Sequence, residues 1–212
     1  MSILIADGRV GPVEADHRIS NNLASLSSVV RLQRHAISKS GRLYSAEQVC
    51  ALLDDISARI EVTARLHKSL AQAANDNGVN LGNFLKEIAE MIGTLGPAGK
   101  MELTVDSSCN GYIDARQALH AGLITAELLT NASKYAHPTG LVVKVHVRCK
   151  TNLNGSFVVE VIDDGIGFPE KFNPETDGGL GFHLMRALAS GMGAKLQFDD
   201  DSLGVRARLV MG

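Results

Sequence analysis

A β-branched apolar run, Phe157-Val158-Val159-Glu160-Val161-Ile162, leads straight into Asp163-Asp164-Gly165-Ile166-Gly167-Phe168-Pro169. No other segment restricts the fold as much, because it requires a strand that ends in a carboxylate and then turns sharply. Gly165 and Gly167, two residues apart, let the backbone bend and come close to a ligand, since no Cβ intervenes. A carboxylate at the strand end, here Asp163, can accept a hydrogen bond from an exocyclic amine such as that of adenine. Standing alone, Asp-x-Gly-x-Gly is equally the ordinary turn after a strand.

Two further blocks bear on that choice. Upstream, Leu119, Leu123, Ala126, Leu128, Leu129 and Ala132 recur at helical spacing and mark one buried helix face. Pro138 is expected to close this helix, because the residue before a proline is pushed out of the α region. Glu127 and Asn131 are four apart and share a face, with Lys134 three further along. The amide oxygen of Asn131 can hold Mg²⁺, Glu127 can orient a water or nucleophile, and Lys134 can meet phosphate. A merely solvated helix face is the bland alternative. Downstream, Asp177-Gly178-Gly179-Leu180-Gly181-Phe182 runs from a glycine cluster into an amphipathic helix. Free backbone N–H groups and the positive helix end then lie where an anion would sit.

Glu127-x-x-x-Asn131-x-x-Lys134, then Asp163-x-Gly-x-Gly, then Gly179-Leu180-Gly181 before a helix resembles the nucleotide boxes of the GHKL ATP-binding fold. That superfamily includes histidine kinases, gyrase-type ATPases, heat-shock chaperones and anti-sigma serine kinases. The resemblance implies that Asp163, with Gly165 and Gly167, binds adenine. It also implies that Asn131 binds Mg²⁺ and that the Gly179–Gly181 turn, including Leu180, cradles the phosphates. Residues 170–177 would form a very short lid.

Residues 13–75 hold two helical stretches separated by Ser40-Gly41-Arg42. Ile19, Leu23, Leu26, Val30, Gln33 and Ile37 step by four and three, as do Val49, Leu52, Ile56, Ile60, Thr63, Leu66 and Leu70. Such a hairpin buries too little by itself. It is expected to pair with a second copy into a four-helix bundle, with packing against the carboxy-terminal domain as the competing possibility. His17 lies about 200° around the first helix from the apolar seam and should point outward, with Asn21, Ala24 and Ser28. An imidazole of ordinary pKa, about 6.5, is largely neutral near pH 7 and keeps a lone pair able to attack phosphorus. Asp16 and Asn21 supply polar groups that can orient it.

Asp16-His17-Arg18-Ile19-Ser20-Asn21-Asn22-Leu23, followed by Arg31-Leu32-Gln33, resembles the phosphoacceptor helix of the HWE-related histidine kinases, whose pattern is His-Arg-Val-Lys-Asn-Asn-Leu-Gln. Arg65-Leu66-His67-Lys68-Ser69-Leu70 and Val79-Asn80-Leu81 are similar to that family's second helix and linker. Glu127 to Pro138 is similar to its N box. The resemblance covers residues 13 to 211. Ser20 stands where the family has lysine, Ala24 where it has glutamine, and Ala126 where asparagine is common. With no tryptophan, the Trp-x-Glu element of strict HWE kinases is absent, which points to the sister group.

The fold class expected is α+β: a helical hairpin over residues 1–77, then an α/β sandwich of GHKL (Bergerat) type over residues 78–212, with residues 78–99 as a linker helix. Its sheet should be mixed and mainly antiparallel. Helices are expected at 13–39, 45–75, 80–95, 113–136 and 180–191, and strands at 101–106, 141–150, 156–162, 194–199 and 204–211. The resemblance implies a protein-histidine kinase core that autophosphorylates His17 from Mg·ATP. The phosphoryl group then passes to an aspartate of a response-regulator receiver domain. Two other readings stand beside it: a histidine phosphotransfer protein with a degenerate second domain, and an anti-sigma-type serine kinase.

The 212 residues carry a net charge of −2 with mixed signs, which gives no electrostatic case for nucleic acid or an anionic membrane. No apolar run reaches membrane-spanning length. Cys50, Cys109 and Cys149 are scattered, with neither pairing nor metal-ligand spacing, so free thiols in a reducing cytoplasm are expected.

Overall fold

Valines alternate with polar residues along 143–151, and that period of two builds a strand whose odd positions, Val143, Val145, Val147 and Cys149, all face inward. A computed structural model of the chain describes residues 44–73, 78–95, 101–137, 140–199 and 203–212, with Ser27, Val30, Arg31, Arg34 and Ser38 singly. Those five single residues are helical. The rest of the helix expected at 13–39, the turn at 96–99 and Pro138 lie outside the described residues.

The elements are α1 (Ala46–Ala73), β1 (Val79–Asn80), α2 (Leu81–Leu95), β2 (Met101–Ser107), β3 (Tyr112–Ile113), α3 (Ala115–Tyr135), β4 (Val143–Thr151), β5 (Phe157–Asp163), α4 (Leu180–Gly191), β6 (Lys195–Asp199) and β7 (Arg206–Met211). Five strands form one sheet in the order β2-β4-β5-β7-β6. β2 pairs parallel with β4, and every other pairing in that sheet is antiparallel. The expected mixed, mainly antiparallel sheet is therefore observed. β1 and β3 form a separate two-stranded antiparallel pair, Val79 opposite Ile113, which periodicity did not reveal because each strand is only two residues long.

Residues 1–56 and residues 57–212 form two compact units. In the second, α2 buries Leu81, Phe84, Leu85, Ile88, Ala89 and Ile92, the spacing of a single helix face. That face meets α3 at Gly122, where a Cβ would come within 2.8 Å of Ile88 and 3.0 Å of Phe84. α3 starts at a capped end, with the Asp114 carboxylate accepting from the N–H groups of Arg116 and Gln117, both at 2.9 Å. The opposite sheet face mixes Val158, Ile162 and Val210 with charged residues. There Arg208 on β7 donates to Glu160 on β5 at 3.2 Å and lies 3.6 Å from Asp199 on β6.

The apolar seam expected along the second hairpin helix divides. Thr63, Leu66 and Leu70 are buried, and both leucines belong to the core of the second unit, whereas Val49 and Ile60 are exposed.

The cysteines require a correction. Cys109 and Cys149 are disulfide-bonded, with Cα atoms 5.3 Å apart and both side chains buried. They are 40 residues apart in sequence, so spacing gave no hint. The parallel pairing of β2 with β4 sets Ser107 beside Cys149, and Cys109 follows two residues later. The inference of a reducing compartment from unpaired thiols therefore falls. Cys50 is free and exposed. Among the described residues no helix is long and apolar enough to cross a membrane.

Candidate nucleotide site

The acid, amide and cation of α3 emerge from the core one after another. Glu127 is buried, Asn131 half-buried and Lys134, in the last turn, exposed. Glu127 is thus no solvated-face residue. Both its oxygens accept from Arg59 on α1, Oε1 from NH2 at 2.7 Å and Oε2 from Nε at 3.1 Å. One turn on, the buried Nδ2 of Asn131 has no hydrogen-bond partner. A buried amide without a partner costs free energy unless something else satisfies it.

Asp163 ends β5, as its sequence context requires. Its Oδ1 accepts from the N–H of Gly165 at 2.9 Å and from that of Val205 at 3.1 Å. Burial holds its carboxyl above the usual carboxylate range, against the opposing pull of those two donors. Asp164 behaves in the opposite way. It accepts from the N–H of Lys144 at 2.8 Å, which holds it below that range, and from His137 Nε2 at 3.2 Å. Gly165 packs on the end of α3 so closely that a Cβ would lie 2.6 Å from Ala136 Cα and from its carbonyl oxygen. Beside it, the Ile166 N–H donates to that carbonyl at 3.0 Å. Gly167 has φ +76°.

The segment expected as a lid is a series of turns. Asn173 accepts at its side chain from the Glu175 N–H at 2.9 Å, and its own N–H donates to Asp177 at 2.9 Å. Arg186 on α4 donates to the carbonyls of Pro174 (2.7 Å) and Asp177 (3.1 Å). Phe172 sits in a ring cluster with Phe168, Phe182 and Phe198, centroids 5.0 to 6.0 Å apart. Gly179 caps α4 without a side-chain bond, and Leu180 opens the helix. Space beside Gly179 is open, whereas a Cβ on Gly181 would overlap Glu127 Oε1.

Glu127 and Gly181 therefore meet, and Asp163, Gly165 and Gly167 gather at the end of α3. Asp16, His17, Arg18 and Asn21 lie outside the described residues. Sequence reasoning missed Arg59, His137, Arg186, the phenylalanine cluster and Gly204, whose added Cβ would collide with the Asp163 carbonyl. Four of the six phenylalanines fall between residues 168 and 198, and that clustering was a readable signal.

The residues fit a Mg-nucleotide. Asn131 offers a buried Nδ2 without a partner, a donor suited to a phosphate oxygen, while Gly165 and Gly181 admit no side chain and Gly179 opens on free space. Among the described residues no three His, Cys, Asp or Glu side chains gather as a metal cage, and Mg²⁺ is commonly held by one or two protein oxygens plus phosphates.

An antiparallel-rich sheet backed by α2, α3 and α4, with these glycine turns at the strand and helix ends, defines an ATPase-type sandwich. Residues 117–211 match the family described as histidine kinase-, DNA gyrase B- and HSP90-like ATPase, and residues 14–95 match a family described as histidine kinase. The chain belongs to the histidine kinase family, of the HWE-related type.

Blue-light-activated histidine kinase 2 of Erythrobacter litoralis is 30% identical over 187 residues, 86% of this chain and 51% of that protein. Sensor histidine kinase PdtaS of Mycobacterium tuberculosis is 29% identical over 194 residues, 91% of this chain and 36% of that protein. The solved structure of the Erythrobacter litoralis EL346 blue-light activated histidine kinase superposes with TM-score 0.73 at 25% identity, over 97% of this chain and 61% of that one. The chain spans about half or less of the length of these curated relatives.

Proposed function

We propose that this chain is the core of a protein-histidine kinase of a two-component system. Residues 1–77 serve dimerisation and phosphoacceptance, and residues 78–212 bind nucleotide. Asp163 accepts from the adenine amine, and the N–H groups of the Gly179–Gly181 turn receive phosphate oxygens. Asn131 would hold Mg²⁺ through its amide oxygen, the metal supplying charge neutralisation on the phosphates, and Lys134 adds a second positive charge. Glu127 orients the incoming nucleophile. The His17 imidazole nitrogen attacks the γ-phosphorus, the bond to the bridging β-phosphate oxygen breaks, and ADP leaves. Most of the acceleration comes from positioning and electrostatics. The phosphoryl group then passes to an aspartate of a receiver domain docked on the helical hairpin, which pairs with a second copy.

The observation that carries this reading is the buried Asn131 Nδ2, a donor without a partner that can meet a phosphate oxygen, one turn from Glu127. The test is incubation with γ-labelled ATP and Mg²⁺, comparing the chain with His17→Ala and Asn131→Ala. Acid-labile label should appear on the parent and on neither variant. Label that persists on His17→Ala, or that survives acid, would overturn the assignment.

A further inference from the structure

The Arg59–Glu127 pair places a cation from α1 directly behind the phosphate turn. Its side chains are 20% and 6% exposed, so the pair is shielded from water on the glutamate side. One turn on, buried Thr63 donates its hydroxyl to the Arg59 carbonyl at 2.7 Å. On the other side, Glu127 Oε1 presses against Gly181, in the first turn of α4. A buried carboxylate thus occupies the place where free N–H groups and the positive helix end would attract phosphate. Without compensation, that charge would oppose every phosphate entering the turn.

We propose that Arg59 is a positioning residue of the phosphate site. It cancels the charge of Glu127 and fixes the carboxylate plane, so that a polyphosphate can settle beside it on the α4 turn. A planar guanidinium bonded to both oxygens does this in a way a point cation cannot. The inference rests on the nucleotide reading of the site, and it adds a requirement from outside the three glycine and acid-amide boxes. Removing one partner of a buried pair leaves the other charge uncompensated. The penalty must then grow with the number of phosphates on the ligand.

The test is calorimetric titration of ATP, ADP and AMP, each with Mg²⁺, into the full chain and into Arg59→Ala, Glu127→Gln and the double variant. Binding of ATP by the parent chain comes first, and its failure would sink the nucleotide reading itself. Arg59→Ala should weaken ATP by about tenfold or more, on the order of 1.4 kcal/mol, with ADP affected less and AMP least. The double variant should regain ATP affinity, since no stray charge remains. Glu127→Gln alone should bind ATP at least as tightly as the parent, which keeps the test decisive if Arg59→Ala does not fold. A loss equal for all three nucleotides, tighter ATP binding by Arg59→Ala, no recovery in the double variant, or weaker ATP binding by Glu127→Gln would each overturn the proposal.

Discussion

Asp163 and Val205 exchange two hydrogen bonds. The N–H of Asp163 donates to the Val205 carbonyl at 3.0 Å, and the N–H of Val205 donates to the Asp163 carboxylate at 3.1 Å. The carboxylate proposed to read the purine is therefore held through Oδ1 by the backbone beside the start of β7.

Burial raises the Asp163 carboxyl above its ordinary range. A group raised in the folded state favours folding below its unfolded pKa, and that contribution is lost as pH rises through the folded value. Ligand binding runs the other way, because the ionised carboxylate is the better acceptor. ATP affinity should fall with acidification beginning above the ordinary carboxylate pKa of about 4. Asp163→Asn should bind more weakly at neutral pH and lack this component. Titration of both proteins from neutral to mildly acidic pH cancels protonation of the nucleotide itself. Parallel profiles would remove Asp163 from the site.

The glycine turns separate steric need from ligand access. Gly165→Ala forces a Cβ to 2.6 Å from Ala136 backbone atoms, and should cost about 1–3 kcal/mol of stability. Gly179→Ala meets open space at φ −81°, so its stability should stay within about 0.5 kcal/mol of the parent. Urea denaturation of both variants checks the contrast. An equal loss for the two would mean the turns pack differently from this description.

Cys149→Ser removes the bond that fastens the segment after β2 to β4, and should lower stability by about 2–4 kcal/mol. Reductant should shift the melting of the parent but not of the variant. Alkylation of the native, unreduced protein should modify Cys50 alone. Three reactive thiols in the native state would disprove the linkage.

Most of the fold was legible because each long element has its own period. α2 repeats every three to four residues, and β4 alternates. Asp163, Gly165 and Glu127 were legible because the turn and helix that hold them are local. What escaped was non-local. The Cys109–Cys149 bond joins residues 40 apart through a parallel strand pairing, and Arg59 reaches Glu127 across 68 positions of chain. Gly204 is one glycine in a loop until β7 sets it against Asp163. β1 and β3 carry too few residues to show any period.

The segment between Pro169 and Gly178 is already folded, with Phe172 packed against two other rings and Arg186 gripping the carbonyls of Pro174 and Asp177. Ordering a loose flap would subtract roughly 1–2 kcal/mol per residue from affinity, a deduction that a pre-set cover largely avoids. On the proposed nucleotide reading, ligand exchange then requires no melting and rebuilding of this segment.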